Sequence, residues 1–288
     1  MDPDWKTLSR DPARLTDAIS ELHHAAQVVA AAGQAFAEPA DDDGHRTLTW
    51  DRDMDVLVGA AWAPGYPFRV SLDPVRYDLA IHERDGTALG SFALGGRTLA
   101  DAYGWLEDAV RTYTGGARAA RVEAPDFRIP DHPVGEGRSF SPERTDERTA
   151  VAALFRAAFS VLEELASERP DAAPVRLWPH HFDVGTVLPL PERSGPGAVG
   201  TVGVGMAPMG GGHETWYWYV NTWPPLEAPP SGAPPHGGVW HMDGWSGAAL
   251  PAAAVGDEGR GAVMRFLEEA VASLTRAASE AAVDPPEG

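Results

Sequence analysis

Cysteine is absent from the chain and lysine nearly so: Lys6 is the one lysine among 23 basic residues. Without cysteine there is no disulfide, no thiolate nucleophile and no Cys-ligated zinc or iron–sulfur cluster. A Schiff-base or phosphate-loop lysine would have to be Lys6, and neither context exists around it. Positive charge is scarce as well. With 42 acidic residues the formal charge is -19. That argues against a nucleic-acid partner, because phosphates demand a cationic face, and against docking on anionic lipid. Long apolar runs are missing. The stretch of lowest polarity, Ala25–Phe36, is too short and too Ala-rich to span a bilayer. The start, Met1-Asp2-Pro3-Asp4-Trp5-Lys6, has no basic n-region and no apolar h-region. Together these absences predict a cytoplasmic protein with neither membrane nor nucleic acid among its partners.

What is present suffices for a folded core. Hydrophobic residues make up 43% of 288 positions, a globular proportion that allows one large domain or two small ones. Asp11 and Pro12 suit the start of a helix over Pro12–Phe36. Its Leu15, Ile19, Leu22, Ala26 and Val29 alternate steps of four and three, one apolar stripe. Strands follow at Met54–Trp62, Phe68–Asp73, Arg76–His82 and Ala88–Leu94. The middle two alternate apolar and polar residues, the mark of an antiparallel sheet covered on one side. Asp85-Gly86 predicts the hairpin turn before the last of them. Thr98 and Asp101 open a second helix as a capping box. A third helix spans Glu143–Glu168, then come strands at Val175–Leu190, Ala198–Met206, Glu214–Thr222 and Val239–Ala253, and a last helix at Arg260–Ser279.

The expected class is therefore α+β, with antiparallel sheets and helices packed on one side. Element order suggests two similar α-β-β-β-β-α halves, Pro12–Thr114 and Glu143–Ser279. The domain reading is an N-terminal half over 1–121, a Pro- and Gly-rich connector over 122–144, and a C-terminal half over 145–288.

Nucleotide and hydrolase motifs are lacking. Gly203-Val204-Gly205 falls inside a strand rather than opening a helix, so it is no dinucleotide fingerprint. There is no Walker loop, no His-Glu-x-x-His pair and no Gly-x-Ser-x-Gly elbow. Polar and aromatic groups instead concentrate in the second half. In Trp178-Pro179-His180-His181-Phe182-Asp183, the apolar phase set by Val175 and Leu177 differs from that of Phe182 and Val184. A bulge or break near Pro179–His181 would reconcile them and re-aim the side chains. His180 and Asp183 then read either as metal ligands, or a carboxylate-oriented imidazole, or as polar groups satisfied at a strand kink. Trp216-Tyr217-Trp218-Tyr219 is an alternating aromatic strand. Thr201, Gly203 and Gly205 form a nearly bare face on which large rings or a ligand can lie closely. His241 sits between tryptophans, beside a turn at Asp243-Gly244. On the first helix, His23 and Gln27 are four apart and can face one neighbour.

At these residues the chain resembles the uncharacterised bacterial family catalogued as domain of unknown function 5996. The resemblance runs from about Leu22 to the last helix. It is carried by Leu22-His23 with Gln27, Arg97-Thr98-Leu99-Ala100-Asp101-Ala102-Tyr103, Trp178-Pro179-His180-His181-Phe182-Asp183, Glu214 through Tyr219 with Trp223-Pro224-Pro225, and Trp240-His241 followed by Leu250-Pro251. It implies one architecture over the chain and supplies no activity. It directs attention to His23, His180, Asp183, Glu214 and His241. Where family members tend to carry basic residues after the helix glutamine, this chain has Ala30, Ala31 and Gly33. Where they tend to carry Thr-Arg after Phe-Asp, it has Val187-Leu188.

The functional expectation is a small-molecule enzyme with a His/carboxylate site in an aromatic pocket, with a divalent metal as a candidate cofactor. His180, Asp183, Glu214 and His241 are the catalytic candidates, and His180, His241 and Asp183 the metal ligands. Trp178, Trp216, Trp218, Trp240, His23 and Gln27 are the ligand-binding candidates. Two other readings are a non-catalytic small-molecule binder and an oligomerising module.

Overall fold

The computed structural model describes residues 3–62, 68–83, 85–116, 121–190 and 200–283. Helices are α1 (Trp5–Arg10), α2 (Thr16–Phe36), α3 (Leu99–Tyr113), α4 (Thr145–Ser167), α5 (Ala252–Val255) and α6 (Arg260–Val283). Strands are β1 (Leu48–Asp51), β2 (Val56–Gly59), β3 (Phe68–Asp73), β4 (Asp78–Glu83), β5 (Ala88–Ala93), β6 (Arg176–Trp178), β7 (Asp183–Pro189), β8 (Thr201–Ala207), β9 (Tyr217–Trp223), β10 (Val239–His241) and β11 (Gly247–Pro251). The class is α+β, and the pairings are antiparallel. Ala198, where a strand was expected to begin, lies outside the described residues.

The described chain divides into two compact units. One comprises residues 17–152 and 177–182; the other comprises 1–16, 153–176 and 183–288. They are termed the N-terminal and C-terminal units below.

In the N-terminal unit the strands run β6-β1-β2-β3-β4-β5. The expected hairpin turn joins β4 to β5: Glu83 N donates to Thr87 O at 2.9 Å, and Gly86 takes φ +90°. The expected capping box is complete, with Asp101 N donating to Thr98 Oγ1 and Thr98 N to the Asp101 carboxylate. The first helix differs from its reading. Pro12–Leu15 is a separate 3-10 turn, and α2 begins at Thr16. Nor is α2 apolar on one stripe only, for Glu21, His23, His24 and Gln27 are buried beside Leu22, Ala26 and Val29. Buried polar groups are usually paired, and the Glu21 carboxylate is. Tyr77 Oη donates to Glu21 Oε2 at 2.6 Å, and Ser141 N to the same oxygen at 3.2 Å.

In the C-terminal unit the strands run β10-β11-β9-β8-β7. Alternation divides these strands into two faces. Val184, Leu188, Val202, Val204, Met206, Trp218, Val220, Ala248 and Leu250 lie on the buried one, each at 5% exposure or less. Helix α6 packs against β8, β9 and β11. Its Val263, Phe266, Leu267 and Leu274 are fully buried. Helix α1 belongs here too. It packs on α5 and the turn Gly256–Glu258, with the Trp5 ring 6.2 Å from that of Trp216.

Helix–strands–helix order recurs along the chain, as element order suggested. The strand orders do not match. The first set is a plain meander from β1 to β5, whereas the second ends β9-β11-β10. After β9 the proline-rich segment 224–238 carries the chain outward. The β10–β11 hairpin then returns, so that its second strand is the one that reaches β9. Each set also holds more than four strands, because Leu48–Asp51 pairs as β1 and the expected strands Val175–Leu190 and Val239–Ala253 are each divided in two. The first division falls where the phase change predicted a break. A turn spans Pro179–Phe182, closed by Phe182 N donating to Trp178 O at 2.7 Å, with Phe182 at φ +58°.

Candidate functional site

Register assembles the site on the second face of the C-terminal strands. Gly185 pairs with Gly205, Gly205 with Tyr219, and Tyr219 with Ala249; Gly203 pairs with Asn221, Asn221 with Gly247, and Gly247 with His241. Asp183, Tyr217, Tyr219, Asn221 and His241 therefore share one face. The glycines make room for them. A Cβ on Gly205 would stand 2.5 Å from Tyr219 Oη, and one on Gly203 would stand 2.3 Å from Asn221 Oδ1. Large side chains lying over bare glycines were the expected use of that face.

At its centre Tyr219 Oη donates to Asp183 Oδ2 at 2.5 Å, short enough to be charge-assisted. Asp183 is buried, at 8% exposure, and Tyr219 is half-buried. Burial and then the Asp183 charge push the Tyr219 phenol well above its ordinary range. The same two causes push Tyr217 up to about 12. Both tyrosines are thus neutral donors near pH 7.

Four further rings adjoin this pair. His213 stacks on Tyr217 with centroids 4.0 Å apart, and His241 stacks on Trp245 at 4.1 Å. The two imidazoles are 5.4 Å apart. The loop between β8 and β9 delivers His213. Gly210, Gly211 and Gly212 all take positive φ, and Trp245 Nε1 donates to Gly211 O at 3.0 Å. That conformation favours glycine, and a Cβ on Gly211 would stand 2.6 Å from Tyr217 Oη. His213 Nε2 is buried with no hydrogen-bond partner among the described residues. Burial, reinforced by His241, holds its imidazole below the ordinary range. His241 Nε2 meets Asp243 O at 2.7 Å. It must donate there, which leaves Nδ1 as the acceptor of the neutral ring.

The other sequence candidates lie elsewhere. Trp216 and Trp218 are fully buried and do not join Tyr217 and Tyr219 on their face. The rings beside Asp183 are consequently the tyrosines and not the tryptophans. Glu214 is exposed on the β8–β9 loop. Trp240 is half-buried, with Nε1 donating to Gly232 O at 3.4 Å.

His23, Gln27, Trp178 and His180 belong to the N-terminal unit. There His23 Nε2 and Gln27 Nε2 both donate to the Pro179 carbonyl, at 2.8 and 2.7 Å, and the His23 ring stacks on Phe182 at 5.0 Å. Two donors from α2 thus clasp the turn after β6. His180 packs against Phe127 and Trp178. Burial lowers both His23 and His180 to about 4; neighbouring imidazoles add to the shift at His23, and His181 and the Arg46 guanidinium add to it at His180.

Among the described residues, no group of three or more histidines, aspartates or glutamates is arranged to hold a metal ion. No described helix is long and apolar enough to cross a membrane. Comparison with known proteins finds no matching family model, no similar curated protein and no similar solved structure.

Sequence reasoning assigned no role to Tyr217, Tyr219, His213 or Trp245. The signal for the tyrosines was available, because they alternate with the tryptophans and lie across from the bare glycines. His213 and Trp245 carry no such signal, since loops place them.

Proposed function

We propose that the C-terminal unit binds and transforms a small molecule on its glycine-floored face, with Asp183 as the acid–base group. Tyr219 is the positioning residue that holds the carboxylate. Tyr217, Trp245, His213 and His241 supply the aromatic surface and the hydrogen bonds. The observation that carries this reading is the Asp183–Tyr219 bond, made across three strands over glycines that leave room for the tyrosine. Carboxylates secluded among rings are a common seat of proton transfer. Metal ligation by His180, His241 and Asp183 has no assembled donor set behind it among the described residues.

A second reading, binding without turnover, has its own support. Tyr217 and Tyr219 are pushed up and His213 pushed down, so all three stay neutral near pH 7. Groups so held make hydrogen bonds and exchange few protons. Screening the full chain against a metabolite library separates the two readings. Calorimetry would report binding and mass spectrometry turnover. The enzyme reading expects a compound that is consumed by the native chain and left intact by Asp183→Asn. Binding without consumption selects the second reading. If no compound binds, or if folded Asp183→Asn and Tyr219→Phe act like the native chain, this face is not the site.

A further inference from the structure

We infer that the free edge of β5 pairs with the same edge of a second copy of the chain, joining two N-terminal units through one antiparallel ladder. The inference is independent of the small-molecule reading. Among the described residues β5 ends the strand order and pairs with β4 alone. Leu94 N donates to Tyr77 O at 3.0 Å, and Phe92 pairs with Leu79. Antiparallel alternation then turns the backbone of Phe92 and Leu94 toward β4, and that of Ser91 and Ala93 outward. Both outward residues are exposed. Among the described residues, no backbone hydrogen bond reaches either from outside the sheet. The start of the strand is different. There Tyr113 Oη donates to Leu89 O, and the register shifts between Ile81 and His82.

Edges that stay single are blunted by charge, proline, shortness, a bulge or a covering element. Beyond its start β5 has none of these. It runs six residues, Ala-Leu-Gly-Ser-Phe-Ala, without a charge or a proline. In the C-terminal unit, by contrast, the edge strand β10 has three residues. A two-fold axis at Phe92 makes β5 its own complement. Ser91 then stands opposite Ala93 of the second copy, and the two exchange both N–H···O=C bonds; the symmetric pair does the same. Phe92 meets Phe92 of the second copy between them, as the non-hydrogen-bonded pair whose side chains come closer. That ring is half-buried and stacks on the half-buried Trp105 of α3, with centroids 5.7 Å apart. Pairing covers it further, and cross-strand aromatic pairs stabilise a ladder. Ser91 and Ala93, on the other side of the strand, are small and uncharged. A charged partner strand finds no counter-charge on β5, whereas a second β5 brings no charge that would need one. This favours a copy of the same chain as the occupant.

The test is sedimentation of the full chain over a concentration series, in 10 mM and 300 mM sodium chloride. A monomer–dimer equilibrium is expected, with a Kd of about 100 µM or tighter at the higher salt. Each copy carries a formal charge of -19, so the dimer should be at least threefold weaker at the lower salt. Ser91→Pro removes an outward N–H, which an edge strand tolerates, and Ser91→Lys places a charge on the edge. Each is expected to weaken the dimer at least tenfold. Trp223→Ser, at the most exposed large apolar side chain of the described residues, 68% exposed, should leave the Kd within twofold. Should Ser91→Pro fail to fold by circular dichroism, Ser91→Lys is read alone. A chain that stays monomeric at about 200 µM, a dimer that survives the folded Ser91 variants, or one that Trp223→Ser abolishes would overturn the inference. So would assemblies larger than a dimer, because a two-fold pairing of the two edges closes on itself. None of these outcomes bears on the Asp183 site, which the metabolite screen tests by itself.

Discussion

Tyr219 has the most to lose from a single-atom change. Tyr219→Phe removes the phenol oxygen that donates to Asp183 and leaves a secluded carboxylate without that donor. A hydrogen bond to a charged group contributes about 1.5–3 kcal/mol, so urea denaturation should show a loss of that order. Asp183→Asn removes the charge that helps raise Tyr217. Ultraviolet titration of the tyrosinate band should then find Tyr217 ionising below its native value of about 12 but above 10, because burial, the larger cause, remains. Gly205→Ala should be severe. Its Cβ would meet the Tyr219 ring at 2.6 Å and the Val184 carbonyl at 2.6 Å. One of those contacts is backbone and cannot turn aside. Lower stability and loss of ligand binding are expected together, by denaturation and calorimetry on one preparation.

Between α2 and the turn after β6, stability is tied to the charge state of histidine. His23 titrates near 4 in the folded chain against an ordinary 6.5, because burial disfavours the imidazolium. The folded state therefore binds fewer protons than the unfolded state between those values. The stabilisation is fully present above pH 6.5, falls as pH drops below it, and stops falling below about 4. At pH 5, His23 alone should cost about 2 kcal/mol relative to pH 7.5. Urea unfolding at the two pH values checks this, and His23→Gln should flatten part of the slope. Thr98→Ala, which removes the cap of α3, should cost about 1 kcal/mol by the same measurement and independently of pH. Much at this scale was legible. The β3 and β4 alternation, the Asp85-Gly86 turn, the Thr98/Asp101 cap and the break near Pro179 each follow from a local rule. The burial of α2 was not legible, because His23, His24 and Gln27 look like a polar face until their partners, 100 residues and more away, are known. Likewise, the aromatic strand announces two faces without saying which is covered. That depends on α6, some 40 residues further on. The Asp183–Tyr219 pair needs the register of β7, β8 and β9, which no local pattern encodes.

For the molecule as a whole, charge is the dominant sequence fact. A formal charge of -19 opposes compaction by self-repulsion, and salt screens exposed charges beyond about 10 Å at 0.1 M. Calorimetric melting in 10 mM and 300 mM sodium chloride should give the higher Tm at the higher salt. An unchanged or lower Tm would mean that attractive surface pairs such as Lys6–Asp257 outweigh the repulsion. Helix α1 carries a different lesson. Trp5 and Leu8 are buried, and a Cβ on Gly259 would lie 2.6 Å from the Trp5 indole. Residues 5–10 thus complete a unit whose other parts lie more than 140 residues further along the chain. On the ribosome Trp5–Arg10 emerges well before Ala252–Val255 and Gly256–Glu258, on which it packs, and must wait for them. Deleting residues 5–10 would accordingly injure the portion bearing Asp183 and spare the one synthesised immediately after them.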